Sequence, residues 1–323
     1  MSTRRILFNI FLVFGLLLAA YLLYKVFNRY TFDEILQSID RIPRWRLVSG
    51  FAFCALSYLC LTGFDWMALR YVGRPLAYPK AAIASFTALA IGHNLGVAAL
   101  SSGAVRYRYY TRWGLDAEEV AKVVLFCGVT VMLGLSALGG IVCLINPTDV
   151  SKLLGVSSSN PFWIGLGVLS LPVAYVVLSA TVRSPLRLWK WCFTMPNIRL
   201  AVGQIAIGTL NFTFVAACLH QVLASEAPVS FVESATAFVL ANVAILVAHV
   251  PGGLGVLEAT VTTVLPGAAS IGGLVAFRVI YFLVPLLLGL PVFAISELIT
   301  RNVKKKRLDK GREKPSEPQA QLL

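Results

Sequence analysis

Apolar residues along this chain fall in long, nearly unbroken runs, at about 6–28, 47–69, 81–105, 118–145, 162–182, 200–224, 232–265 and 271–299. A helix needs about 20 apolar residues to cross the hydrocarbon core of a bilayer. Backbone groups have no water to bond there, so spanning segments must satisfy them internally. The runs therefore predict membrane helices. The period-two alternation of a membrane barrel is absent.

Two runs do not read as simple spans. The third holds Ile91-Gly92-His93-Asn94-Leu95-Gly96 in its middle, then Ser101-Ser102-Gly103. The seventh holds Ala248-His249-Val250-Pro251-Gly252-Gly253-Leu254-Gly255. Glycine and proline at mid-membrane depth release backbone groups, which is tolerated only where protein or a wet cavity supplies partners. Between the first two runs, Thr31 and Glu34 have capping-box spacing. Phe32, Ile35, Leu36 and Ile39 share one helical face, with Asp33, Gln37 and Asp40 elsewhere. This predicts a short interfacial helix stopped by Pro43. Asp116-Ala117-Glu118-Glu119 gives a second capping signal, so the fourth run should start near Ala117.

Composition agrees. Of 323 residues, 58% are hydrophobic and 13% charged, against roughly 25% charged in a soluble domain. So few charges cannot cover a soluble surface of this size. The net charge of +13 would hint at nucleic acid in a soluble protein. Here the cations lie between runs and after Thr300, which predicts anionic headgroups and no nucleic-acid partner. Cys54, Cys60, Cys127, Cys143, Cys192 and Cys218 form no CxxC pair and read as small hydrophobes. The run after Arg4 and Arg5 is too long for a signal-peptide core and reads as a retained anchor. Trp45, Trp66, Trp113, Trp163, Trp189 and Trp191 lie near run ends, as an aromatic belt requires.

Charge parity separates two topologies. If all eight runs cross once from an inside N-terminus, the Arg-rich loops 102–117 and 183–199 fall outside, against the positive-inside rule. If the third and seventh runs dip in and return, those loops and the basic tail become cytoplasmic. Arg41, Arg44 and Arg46 stay outside in both versions. The expected fold is thus an all-α integral membrane protein with about six full crossings and two re-entrant elements. The two enter from opposite faces, which is the pattern of an inverted repeat with a midplane site. Residues 1–300 form one transmembrane unit, and 301–323 are expected to be a basic, disordered cytoplasmic tail.

Charges inside a membrane are functional candidates by default. Glu258 follows the glycine-rich break, and Arg278 lies inside the last run, followed by Tyr281 and Pro285. Arg278 could hold a lipid phosphate with Glu258 orienting it or relaying protons, or the two could form a buried lock. Gly252, Gly253 and Gly255 lead into a short helix whose free N–H groups suit an anion; a tight turn needing small residues is the alternative. In Arg106-Tyr107-Arg108-Tyr109-Tyr110-Thr111-Arg112, Arg forks suit phosphate and Tyr110 supplies an amphipathic wall; a plain interfacial basic loop has the same composition. His93 and Asn94 at the first break, with Asn242 and His249 near the second, could line a polar path or only satisfy released backbone groups. No zinc spacing, phosphate-binding loop or nucleophile elbow is present. That argues against a hydrolase or metalloenzyme and implies no cofactor.

These segments resemble the lysylphosphatidylglycerol synthase transmembrane-region family. The family includes the flippase domain of the multiple peptide resistance factor and stand-alone YbhN-type inner-membrane proteins. The resemblance rests on Arg106-Tyr107-Arg108-Tyr109-Tyr110 with Gly114-Leu115, on His249 to Ala259, and on Arg278-Val279-Ile280-Tyr281-Phe282-Leu283-Val284-Pro285. It covers about 5–300. It implies a polytopic inner-membrane protein that moves anionic or aminoacylated phospholipid between leaflets. Arg106, Arg108, Gly253, Gly255, Glu258, Arg278 and Tyr281 become lipid-site candidates. Full-length resistance factors continue into an aminoacyltransferase domain, whereas this chain stops after a short basic tail, so it is not expected to charge lipids itself. A lipid-binding scaffold and a proton-coupled solute transporter are the alternatives, and a homodimer stays open.

Overall fold

A computed structural model describes residues 42–94, 98–155, 160–182, 186–188, 191–248, 253–267 and 271–312, with single positions 33, 37 and 40. The first apolar run lies outside the described residues, as does most of the predicted interfacial helix. Its three described positions, Asp33, Gln37 and Asp40, are helical and exposed.

The chain forms α1 (Arg44–Tyr71), α2 (Tyr78–Gly92), α3 (Ala98–Arg112), α4 (Ala117–Ile145), α5 (Pro147–Leu154) and α6 (Asn160–Thr181). A two-stranded hairpin follows, β1 (Leu186–Leu188) antiparallel to β2 (Trp191–Phe193). Then come α7 (Ile198–Leu223), α8 (Phe231–Ala248), α9 (Val256–Val264), α10 (Ile271–Arg278), a π-helical segment (Val279–Leu283) and α11 (Val284–Arg312). Asp116 caps α4 as its spacing predicts. The Glu119 backbone N–H donates to Asp116 Oδ1 at 2.8 Å, and the Asp116 N–H donates to Glu119 Oε2 at 2.9 Å.

Among the described residues, six helical stretches are long and apolar enough to cross a membrane: α1, α4, α6, α7, α8 and the continuous 272–300 stretch through the π segment. Five coincide with runs predicted to cross. The sixth, α8, is the first part of the seventh run, which was expected to dip and return. The tail also differs from expectation: α11 continues to Arg312, because a helix already started extends through good helix formers such as Lys and Arg.

The third run is a helical hairpin. Its limbs α2 and α3 have 15 residues each, about 22 Å at 1.5 Å per residue, too short for a core of about 30 Å. At the tip, Ser101 Oγ donates to Gly92 O at 3.3 Å. At the open end, the Lys80 ammonium lies 5.9 Å from the Trp113 ring centroid. The hairpin therefore leaves from the end of the bundle at which it arrives.

That end is also where the basic segments collect. The Tyr71 hydroxyl at the end of α1 donates to Thr194 O at 2.7 Å, and Arg112 donates to Thr300 Oγ1 on α11 at 3.1 Å. The end of α1 thus lies beside Thr194, and the end of α3 beside Thr300 of α11.

The core centres on α1 packed against α7, with α4 closing one side. Small residues permit the close approach. A Cβ on Gly208 of α7 would stand 2.6 Å from Thr130 O and 3.0 Å from Gly134 Cα on α4. Gln204 adds polar glue: it donates to Thr130 Oγ1 at 2.9 Å and accepts from Tyr175 of α6 at 2.7 Å. We expect Gly208→Leu to cost about 1–3 kcal/mol through overpacking, seen as a lower melting temperature in detergent. Gly167→Leu, where a Cβ meets nothing within 4 Å, should leave it unchanged.

Candidate functional site

Ser57 lies halfway along α1 and Asn211 halfway along α7. The Ser57 hydroxyl donates to Asn211 Oδ1 at 2.7 Å, with both side chains buried. Two spanning helices of similar length meeting at their midpoints place this contact near mid-depth. Polar groups gather around it from three other elements.

The π segment is one of them. Pro285 has no N–H, so an α-helical continuation would leave the Tyr281 carbonyl without its usual donor. The widened turn instead presents three successive carbonyls to side chains. Cys54 donates to Ile280 O at 3.3 Å, Tyr58 to Tyr281 O at 3.4 Å, and Asn94 to Phe282 O at 3.2 Å. π-Helical turns within α-helices recur at functional sites. The Tyr281 side chain is buried, with its hydroxyl 3.1 Å from Ser57 Oγ.

The hairpin tip is the second. The His93 ring stacks on Tyr281 with centroids 6.1 Å apart, and its edge contacts involve Tyr58 and Phe282. His93 Nδ1 is buried, with no hydrogen-bond partner among the described residues. Asn94 also donates to Ala90 O at 2.9 Å, and so caps released backbone as well as joining the tip to the π segment. Both of these Asn94 bonds go to backbone carbonyls.

The break before α9 is the third. Gly253 and Gly255 adopt φ of +59° and +83°, a region disfavoured for residues with a Cβ. Their turn aims the start of α9 at Arg278. Glu258 accepts from the Gly255 N–H at 2.8 Å. Arg278 forks onto Glu258, with one contact of 2.9 Å, and donates to Gly253 O at 2.9 Å. Its guanidinium also lies 5.5 Å from the Phe282 ring centroid. Glu258 and Arg278 therefore touch. Gly252 and His249 lie outside the described residues. Asn242 donates to Phe238 O of its own helix at 2.9 Å and is not drawn into the cluster.

A second buried pair lies toward the basic end. Arg106 Nε donates to Asp65 Oδ1 at 2.8 Å, and its Nη2 donates to Asp65 Oδ2 at 3.1 Å. Cys127 Sγ donates to the same carboxylate at 3.4 Å, and Tyr110 is buried alongside. The side chains of Arg106 and Asp65 are 3% and 0% exposed, against 7% and 19% for Arg278 and Glu258. Arg106 thus points inward from α3 instead of facing the surface. Arg108 is more exposed and donates to Glu297 of α11 at 3.0 Å, and Arg112 pairs with the same carboxylate. In the loop between α1 and α2, Arg74 donates to Glu119 at 2.7 Å, which raises its pKa above the ordinary guanidinium value.

Reading the sequence had missed Asp65, Ser57, Tyr58, Asn211 and Glu297. A signal existed for Asp65, the one acid within the 47–69 run. None existed for Ser57 or Tyr58, whose importance comes from which helix faces them. Among the described residues, no group of His, Cys, Asp or Glu could hold a metal ion.

Comparison with known proteins gives a consistent assignment. The family profile described as lysylphosphatidylglycerol synthase TM region matches residues 12–289. The Synechocystis protein named uncharacterized protein slr0712 is 30% identical over 263 residues, covering 80% of this chain and 82% of its own length. Inner membrane protein YbhN of Escherichia coli is 25% identical over 280 residues, covering 85% and 87%. Phosphatidylglycerol lysyltransferase of Staphylococcus haemolyticus is 21% identical over 278 residues, 83% of this chain but 31% of that protein.

Removing one partner of a buried ion pair strands a charge, at a cost of about 3–5 kcal/mol. Asp65→Ala should therefore lower thermal stability strongly in detergent. The double substitution Asp65→Leu with Arg106→Met should recover most of the loss, because neither charge is then left alone.

Proposed function

Because the chain belongs to the lysylphosphatidylglycerol synthase transmembrane-region family, we propose that it moves phospholipid between the leaflets of the bacterial inner membrane. The observation that carries this reading is the polar cluster near mid-depth, assembled from a hairpin tip, a π turn and a broken helix. Buried charge in a membrane is costly.

In this reading the hairpin α2–α3 is re-entrant from the cytoplasmic side. The stretch through Gly253 to Val264 dips from the opposite side. The basic end of the bundle and the continuation of α11 face the cytoplasm, where cations favour retention. Arg108 gathers the headgroup at that face. Arg106 lies deeper and holds the hairpin to α1 and α4. At the centre Arg278 takes the phosphate, the bidentate geometry that guanidinium offers carboxylate serving phosphate equally. The Gly255 N–H at the start of α9 donates to the Glu258 carboxylate and so adds to an anion site there. Glu258 is the resident occupant that the phosphate displaces. Movement is passive or coupled to protons or membrane potential, with no nucleotide site and no bond made or broken.

One observation favours a second reading. Arg278 and Arg106 each have a carboxylate partner in place, as locks in a non-transporting lipid-binding scaffold would. Leaflet-specific labelling in proteoliposomes separates the two, with phosphatidylglycerol, its lysyl form and phosphatidylethanolamine as headgroups. We expect redistribution of at least one lipid by the wild type and a loss of roughly tenfold or more in Arg278→Ala, since a lost charge-assisted contact is worth more than one factor of ten. Unchanged redistribution in a folded Arg278→Ala protein would remove Arg278 from the mechanism. No redistribution by folded wild type would leave the scaffold.

A further inference from the structure

The site at Arg278 has a property that concerns which headgroup it takes. Between Ser230 and Ser296 the carboxylates and the side chains cationic at neutral pH are Glu233, Glu258 and Arg278, with His249 the one histidine. Glu233 lies in the first turn of α8 and bonds back to the Ser230 N–H at 2.8 Å, at the end of the bundle. Among the described residues of this stretch the interior thus holds one cation and one anion, and they neutralise each other.

Charge balance then constrains the cargo. A phosphate that takes Arg278 from Glu258 leaves the carboxylate without its cation. If the headgroup carries no amine, the site holds one net negative charge in an apolar surround, which is expensive. If the headgroup also carries one ammonium, that cation can take the place Arg278 left. The resident pair is exchanged for two pairs, Arg278 with phosphate and Glu258 with ammonium, and the net charge stays zero.

Two further features fit an ammonium. Glu258 is the more open member of its pair, at 19% of its side-chain surface against 7% for Arg278. Phe282 already faces a cation, the Arg278 guanidinium at 5.5 Å, and is edge-packed against Tyr281 and His93. Aromatic faces attract ammonium groups by their quadrupole. The Asp65–Arg106 pair lacks the exposure, with Asp65 fully buried.

We infer that the Glu258–Arg278 pair selects phospholipids whose headgroup joins one phosphate to one primary ammonium, exchanging its own ion pair for the headgroup's two charges. This rests on the lipid-transport reading above. It makes Glu258 the residue that decides between zwitterionic and anionic lipid.

The test uses purified full-length protein in proteoliposomes. Phosphatidylethanolamine movement is read by leaflet-specific reaction of its amine with trinitrobenzenesulfonate. Phosphatidylglycerol movement is read by periodate oxidation of its glycerol diol. Wild type should move phosphatidylethanolamine roughly tenfold or more faster than phosphatidylglycerol, an uncompensated charge being worth at least one factor of ten. Glu258→Gln removes the anion, so phosphatidylglycerol becomes the charge-balanced cargo and the preference should reverse. Equal wild-type rates for the two lipids would overturn the inference while leaving lipid transport standing, and that arm needs no variant. An unchanged ratio in a monodisperse Glu258→Gln protein would also overturn it. Movement of neither lipid by wild type would overturn both this inference and the transport reading. Uptake of soluble phosphoethanolamine without lipid movement would assign the site to a free solute and overturn both as well.

Discussion

A backbone carbonyl or N–H released inside a membrane has no water to turn to, and the centre of this protein is organised by that requirement. Pro285 denies the helix a donor, and the chain answers with a π turn whose Ile280, Tyr281 and Phe282 carbonyls accept from Cys54, Tyr58 and Asn94. The same bonds fasten α1 and the hairpin tip to the last span. One constraint, satisfaction of freed backbone, thus brings three elements together at one depth. Held there, the Tyr281 side chain meets both Ser57 and His93.

The two buried ion pairs have different surroundings. Asp65 and Arg106 are fully enclosed and share their cavity with Cys127 and Tyr110. Such a pair fixes the hairpin against α1 and α4, and breaking it on one side would strand a charge. Glu258 and Arg278 sit on a glycine turn beside aromatic rings, with the carboxylate partly open. Their arginine shares its donors between a carboxylate and the Gly253 carbonyl. In the proposed transport, this partly open carboxylate beside a glycine turn is the one an incoming headgroup replaces.

How far the sequence revealed the site depended on whether a residue's meaning was local. The Asp116 capping box was legible because its two partners are three residues apart. The glycines at 253 and 255 were legible because only a special backbone needs them in an apolar run. Glu258 and Arg278 stood out as charges in apolar surroundings, but 20 residues of chain hid whether they meet. Asp65 carried the same signal and was passed over, because no motif surrounds it. Tyr58 and Ser57 look like ordinary members of an apolar helix. The seventh run also shows the limit: hydropathy marked the break correctly but did not show that α8 before it is long enough to cross.

The sequence by itself determined that this is a helical membrane protein, where its apolar runs lie, and which two of them are interrupted. Those features follow from composition and from backbone chemistry, which act over a few residues. The tertiary structure decided that α1 packs on α7 with their midpoints together, that Arg106 turns inward to Asp65, and that Arg278 reaches Glu258. Such pairings depend on which helix faces which: α1 fits against α7 where Gly63 meets Ile207, and α4 against α7 where Gly134 meets Gly208, across helices far apart in the chain.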